Sequence, residues 1–353
     1  VNKTFFSKKI ISWYEENKRD LPWRLTRDPY KIWLSEIILQ QTRVAQGLPY
    51  YQKFVETFPE VISLANAKED RVLRLWQGLG YYSRARNLHA CAKKVRDEFD
   101  GSFPSTFEGL QKLPGIGSYT AAAIASIAFR KPVAVVDGNV FRVLARVFGI
   151  DLDISSNEGK ARFFEKANEL IDHQQPDMFN QAMMEFGALH CTPKNPKCDS
   201  CIFMKSCFAY QHEQQDSLPV KSKKQAVRKR YFTYIIIECR GRLLMKKRPQ
   251  GDIWNGLYDF FLIESPRQFN PEKLLFEYKE FRDIHPDVSK VHKHILSHQH
   301  LVTRFVWMKV SNEQSVKQLM KKNELAFYSR KQVANLPKPI LLTRFLHAYN
   351  YLD

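Results

Sequence analysis

No apolar run in this chain of 353 residues approaches the roughly 18–20 residues needed to cross a bilayer, so a membrane-spanning helix is not expected. The first residues, Val1–Trp13, carry Lys3, Lys8 and Lys9 but neither a long apolar core nor a small-residue cleavage site, so no secretory signal is expected. Cysteine is scarce at six, and with no sign of secretion a disulfide framework is disfavoured; the chain reads as cytosolic, where thiols stay reduced. Acidic side chains are outnumbered, 37 against 55 basic, giving a formal charge of +18. Such an excess attracts a polyanion, and nucleic acid is the expected partner; the bland alternative is a generally basic surface. At 44% hydrophobic and 26% charged residues the chain has material for buried cores in about two domains, and it shows no internal repeat.

Four of the six cysteines, Cys191, Cys198, Cys201 and Cys207, fall in one short stretch with spacing C-x6-C-x2-C-x5-C. Four thiolates that close can ligate one metal centre. Structural zinc usually uses paired C-x2-C knuckles, of which there is one here; an iron–sulfur cluster tolerates the uneven spacing, and spacing alone leaves the choice open. Lys194, Lys197 and Lys205 lie between or beside the ligands, which points to a braced, basic loop facing phosphate. Cys91 and Cys239 are isolated in apolar surroundings.

Residues 1–210 read as short amphipathic helices with polar punctuation, for example after Pro29, through Val72–Trp76, Leu88–Val95, Thr120–Phe129, Val140–Val147 and Ala161–Ile171. The only strand-like run there is Val133–Val136. Residues 211–229 are polar, basic and without apolar period, a linker by composition. From 230 to 353 the pattern changes to strands, at Tyr231–Cys239, Arg242–Lys247, Tyr258–Ile263 and Leu301–Val310, with a helix-like segment near Pro271–Arg282.

Leu113-Pro114-Gly115-Ile116-Gly117 joins a short helix, Thr106–Lys112, to the alanine-rich one. Glycines in a tight interhelical turn permit positive φ and leave backbone N–H groups bare, so Gly115, Gly117 and the following helix start form a site for a DNA phosphate. An ordinary helix–helix turn is the alternative. Two carboxylates stand out. Glu36 has largely uncharged helical neighbours three and four residues away, which would raise its pKa and suit a general acid; a solvent-facing or ion-paired glutamate is equally compatible. Asp137 follows the apolar run Pro132–Val136 and precedes a helix, where capping is the leading reading and catalysis the other.

Leu113–Tyr119 (LPGIGSY), Val136–Val140 (VDGNV) and the four cysteines resemble the endonuclease III, or helix-hairpin-helix, superfamily of DNA glycosylases. Leu21–Arg24 (LPWR), Trp33–Thr42 (WLSEIILQQT), Gly78–Leu88 (GLGYYSRARNL) and Phe179–Gly187 (FNQAMMEFG) resemble its adenine glycosylase (MutY) branch. The resemblance implies a multidomain fold: a mainly α helix-hairpin-helix domain over 1–210 with a 4Fe–4S loop at 191–207, one cluster per chain, and an α+β Nudix-like domain over 230–353. It implies a monomeric enzyme that extrudes adenine opposite 8-oxoguanine or guanine in duplex DNA and cleaves its N-glycosidic bond.

By the same resemblance Glu36 is the acid, Asp137 the carboxylate that stabilises the sugar cation, and Tyr119 and Asn139 orient them. Members with lyase activity carry a lysine where this chain has Tyr119, so single, monofunctional base removal is expected. Gln41 and Tyr81, with Thr42 and Leu79 beside them, match the positions that fill the vacated base stack. Trp23, Arg24, Leu39 and Gln181 are expected around the adenine. In the second domain Ser297 and His298 match the loop that reads 8-oxoguanine, with Leu296 in place of the usual aromatic. The Nudix metal-binding helix pattern is missing from Glu264–Asp283, so nucleotide hydrolysis there is not expected. The rivals are a lyase-competent enzyme for oxidised pyrimidines and a non-catalytic DNA-binding scaffold.

Overall fold

Capping side chains and prolines set where the helices begin. In the computed structural model, which describes residues 2–222, 227–267, 270, 281, 284–296 and 298–352, the chain divides into two units. The first comprises Val1–Ala67 and Asn87–Lys223, the second Lys68–Arg86 and Lys224–Asp353. Helices α1 (Lys3–Asn17), α2 (Pro29–Leu39), α3 (Val44–Thr57) and α4 (Val61–Ala65) open the chain. Then come α5 (Glu69–Leu75), α6 (Ser83–Phe99), α7 (Phe107–Gln111) and α8 (Ser118–Phe129). Helices α9 (Gly138–Phe148), α10 (Asn157–Leu170), α11 (Pro176–Leu189) and α12 (Phe208–Gln211) complete the α-rich part.

α2 starts at Pro29, with Asp28 capping the Tyr30 N–H at 2.9 Å, and is buried from Ile32 through Ile38. The alanine-rich α8 packs against α2, α7 and α11. Its small side chains allow three helices to crowd round it. α1, α9, α10 and α11 enclose a second layer of the core through Phe6, Val143, Phe163, Phe179 and Phe186. Each such ring or branched chain contributes about 1.5–3 kcal/mol by burial.

The expected strand at Val133–Val136 is absent. The segment is extended, but its backbone groups bond to side chains: Ala134 N–H to Asn168 Oδ1 and Val135 N–H to Asn180 Oδ1, both at 2.9 Å, and Val133 O accepts from Asn180 Nδ2. Two asparagines on α10 and α11 replace the partner strand, so an apolar β-branched run stays buried without a sheet.

The second unit is built on an eight-stranded sheet among the described residues. Its strands are β1 (Arg228–Cys239), β2 (Arg242–Lys247), β3 (Tyr258–Asp259), β4 (Phe261–Ser265), β5 (Asp287–Val288), β6 (His292–Ile295), β7 (Gln299–Lys309) and β8 (Ala326–Tyr328). β1 pairs parallel with β7 and antiparallel with β2 and β4. Alternate β1 residues enter opposite cores: Phe232, Tyr234 and Ile236 face one, Ile235, Ile237 and Cys239 the other. Helices α14 (Arg330–Asn335) and α15 (Ile340–Ala348) cover the first face, and α13 (Lys317–Asn323) the second. Lys68–Arg86 groups with this unit: Lys247 Nζ donates to Asp70 Oδ1 at 2.9 Å and Gln77 Nε2 to Thr343 Oγ1 at 2.8 Å. The strand expected from Tyr258 to Ile263 is broken in two at Phe260, and Gly251–Leu257 before it is turn. The helix-like segment near Pro271–Arg282 lies almost wholly outside the described residues.

Candidate active site

Glu36, Asp137, Tyr119 and Asn139, up to 103 positions apart as 139 − 36, line one cavity of about 590 Å³ in the first unit. Trp23, Arg24, Leu39, Thr42 and Gln181 line it too. Gln41 does not. α2 stops at Leu39, and Gln41 is exposed in a left-handed conformation with φ 56°.

Glu36 is buried on α2, and the Tyr119 hydroxyl from α8 donates to its Oε2 at 2.6 Å. Burial raises the Glu36 pKa to about 7; the Tyr119 hydrogen bond opposes the rise, while the neighbouring Asp137 adds to it. Asp137 is the N-cap of α9: its Oδ1 accepts from Asn139 N at 2.9 Å and Val140 N at 2.8 Å, and its Oδ2 from Asn139 Nδ2 at 2.8 Å. Burial pushes its pKa up and these three hydrogen bonds hold it down, helped by Arg142. Capping and cavity position therefore coexist in one side chain.

Arg142 secures the arrangement. It donates to Asn139 Oδ1 at 2.9 Å, Gly187 O at 2.6 Å and Cys191 O at 2.7 Å, which fixes the Asn139 amide with its Nδ2 towards Asp137. α11 reaches α9 closely because Gly187 has no side chain: a Cβ there would lie 2.6 Å from Asn139 Cβ and 2.9 Å from its carbonyl oxygen. Gly187→Ala is expected to cost about 1–3 kcal/mol, read from the denaturant midpoint of the full chain; an unchanged midpoint would show that the helices can part.

At the far wall Glu185 takes two guanidinium groups. Arg24 donates to both its oxygens at 2.9 and 2.7 Å, and Arg19 at 2.8 and 2.6 Å. Burial opposes its ionisation, but these bonds outweigh it and bring the pKa to about 2. Arg24, expected near a base, is thus held by a carboxylate, and its guanidinium lies over the Tyr14 ring. Gln181 accepts from Tyr14 Oη at 3.1 Å. Neither Glu185 nor Arg19 was singled out in the sequence: the partners lie on opposite ends of the unit, with no local spacing signal.

In the hairpin Gly115 has φ 73°, and a Cβ would come within 2.6 Å of Asn87 Cβ, so both conformation and space demand glycine. Gly117 caps α8 with open space beside it. The first N–H groups of α8 have no intrahelical acceptor, and Gly117 and Ser118 at this end are exposed.

The four cysteines are not disulfide-bonded. Burial raises the Cys201 thiol to about 11; its backbone N–H bond from Phe203 opposes this, and the charges of Cys191, Cys207 and Cys198 add to it. Arg146 Nη1 lies 3.5 Å from Cys191 Sγ, and the Phe203 N–H 3.4 Å from Cys201 Sγ. Among the described residues no three His, Cys, Asp or Glu side chains close round a point as they would round a single ion.

In the second unit Leu79, Tyr81 and His298 line a separate cavity of about 560 Å³, with Trp254 and His294. Tyr81 is exposed with φ 47°, under the guanidinium of Arg84, and Trp254 also has a left-handed backbone at φ 61°. Trp254, not singled out in the sequence, stands in the turn Gly251–Leu257. Ser297 lies outside the described residues.

The sequence profile of the HhH-GPD superfamily of base excision DNA repair proteins matches residues 34–171, and a NUDIX domain profile matches 232–348. A thermostable thymine-DNA glycosylase superposes with a TM-score of 0.55 at 32% identity, covering 60% of this chain and 97% of its own. A trapped endonuclease III–DNA covalent intermediate shares the fold, with a TM-score of 0.53 at 20% identity over 61% of this chain and 99% of its own. The first unit is therefore a helix-hairpin-helix base-excision fold, and the second carries a Nudix domain. An adenine DNA glycosylase of Buchnera aphidicola subsp. Schizaphis graminum is 35% identical over 85% of this chain and 84% of its own length. One from Mus musculus is 36% identical over 84% of this chain and 68% of its own. The chain belongs to the adenine DNA glycosylase family. No described helix is long and apolar enough to cross a membrane.

Proposed function

We propose that this chain excises adenine paired with 8-oxoguanine, or with guanine, from duplex DNA, extruding the base and hydrolysing its N-glycosidic bond with no lyase step. The observation that carries the reading is Glu36: a buried carboxyl with a pKa of about 7, half protonated near neutrality, sharing a cavity with Asp137. Glu36 gives its proton to N7 of the extruded adenine, and the bond from C1′ to the base breaks with its electron pair leaving on the base. Ionised Asp137 stabilises the cationic sugar. Water adds its oxygen to C1′, and its released proton returns to Glu36. Free adenine and an abasic site result.

Tyr119 donates to Glu36 Oε2, which leaves Oε1 to carry the acidic proton, and a phenol forms no imine with the sugar. Gln41 and Tyr81, each held at positive φ on an exposed turn, suit side chains that enter a base stack. The hairpin amides and the basic loop take phosphates, and Ser297 with His298 reads 8-oxoguanine; the protein acts as a monomer. Cys191, Cys198, Cys201 and Cys207 would hold a 4Fe–4S cluster: the donor set is four thiolates, and Arg146 and the Phe203 N–H at the sulfurs would offset its negative charge. Bound there, it supplies a brace for the loop bearing Lys194, Lys197 and Lys205; iron content and visible absorbance test this.

Single-turnover assays on duplexes with adenine opposite 8-oxoguanine, guanine or thymine should release free adenine from the first two, fastest from the first, with no adduct trapped by borohydride. A trapped adduct, or no base release from either mispair, would sink the reading. Ser297→Ala is expected to narrow the preference for 8-oxoguanine over guanine by about tenfold, the worth of one buried hydrogen bond. An unchanged ratio of rates would count against that loop.

A further inference from the structure

The second unit contains a concavity that the excision reaction does not use. It measures about 610 Å³ and is walled by Trp307, Tyr349 and Tyr351, with Glu238 and Asp287 among its lining side chains. The rings form a continuous surface. Trp307 and Tyr349 lie parallel, 4° apart in plane with centroids at 5.6 Å, Tyr351 stands 6.0 Å from Trp307, and Phe345 backs Tyr349 at 4.3 Å. The carboxylates are placed beside them. Glu238 Oε2 accepts the Trp307 indole N–H at 2.8 Å, and Asp287 sits opposite Trp307 in the β5–β7 register. Lys309 also lines the space, 4.0 Å from Glu238 Oε2, but its side chain is 78% exposed; Asn350, His285 and Ile284 complete the lining.

In a chain of formal charge +18 this is a place where aromatic faces meet two carboxylates, with Lys309 in the lining and the chain's own Arg330 guanidinium over the Tyr351 ring at 5.8 Å, donating to Asn350 O at 3.1 Å. An aromatic wall attracts cations through its ring quadrupole, and a carboxylate beside it adds a charge-assisted hydrogen bond. A guanidinium answers both demands, being flat enough to lie on Trp307 or Tyr349 while its N–H groups reach Glu238 and Asp287; a compact ammonium answers only one. We propose that this concavity is a docking site for an arginine side chain presented by a basic segment of a partner protein.

The test uses the full chain labelled with 15N. Its six tryptophans give six indole N–H resonances, and Trp307→Phe assigns the one at issue. Ethylguanidinium chloride, titrated against sodium chloride at equal ionic strength, should shift the Trp307 resonance saturably and leave the other five in place. The double variant Glu238→Gln/Asp287→Asn keeps an acceptor for the indole N–H and should weaken the midpoint by about fivefold or more, with ethylammonium weaker than ethylguanidinium on the native chain. The five remaining indole signals report whether the variant is folded. Adenine excision should be unchanged in it. The proposal is overturned if Trp307 does not respond, if all six signals drift together, or if the double variant keeps the native midpoint. A saturable response to deoxyadenosine monophosphate with none to ethylguanidinium would give the site to nucleic acid and overturn it equally.

Discussion

Asp137→Asn is expected to lower the single-turnover rate of adenine release by about a thousandfold or more, a loss of some 4 kcal/mol of transition-state stabilisation, while the chain stays folded and still binds its duplex. The carboxylate's charge is what the cationic sugar needs, and an amide of the same shape lacks it. Asparagine is as good an N-cap as aspartate, so its Oδ1 can keep the bonds from Asn139 N and Val140 N. Its Nδ2, however, would face Asn139 Nδ2, which Arg142 keeps from turning. That donor–donor contact costs about 1–3 kcal/mol. Relief of a buried charge, whose burial raises the native pKa, offsets it in part at neutral pH. The unfolding midpoint should therefore move little, whereas Asp137→Ala adds the loss of the cap, about 1 kcal/mol. Duplex affinity should hold within about threefold, since the phosphate contacts proposed above rest on the hairpin amides and lysines. Near-normal base release by Asp137→Asn would remove the carboxylate from the mechanism.

That prediction shows how far the sequence carries and where it stops. For Glu36 the uncharged helical neighbours suit burial but leave a solvent-facing or ion-paired glutamate equally open; the structure buries it on α2. For Asp137 local reasoning offered capping or catalysis as alternatives; the structure has the cap bonds and the cavity position together, since an N-cap at the end of a buried extended segment points into whatever that segment faces. Non-local pairs were illegible. Arg24 is separated from Glu185 by 161 positions, and Arg142 holds carbonyls of Gly187 and Cys191, contacts that arise from how α9 meets α11 and leave no trace in spacing. Val133–Val136 read as a strand because β-branched burial looks the same whether a strand or two asparagines satisfy the backbone. The grouping of Lys68–Arg86 with the second unit is likewise a tertiary fact.

Glu36→Gln should slow excision by about a hundredfold at neutral pH and make the protein more stable at alkaline pH, two effects with one cause. Only the protonated carboxyl can give a proton to adenine, so the native rate should fall about tenfold per pH unit above the Glu36 pKa of about 7. On the acid side it should fall as Asp137, whose pKa is raised from its usual value, takes up a proton. Glutamine has no proton to give, and its rate should lie about a hundredfold below the native rate at or below pH 7, the gap closing above it as the native carboxyl ionises. Stability runs the other way. The folded pKa lies above the unfolded value of 4.5, so between these the native state holds more protons and loses stability as pH rises. The full penalty is present above about 7 and bounded by about 3.5 kcal/mol, at 1.4 kcal/mol per unit. Glutamine escapes it and still accepts the Tyr119 hydroxyl. Denaturant midpoints should therefore favour the variant at pH 8 and converge with the native chain near pH 4.5. A variant no more stable at pH 8 than at pH 5, relative to the native chain, would mean that Glu36 is solvated and ionised in the folded protein, and the acid would have to be sought elsewhere.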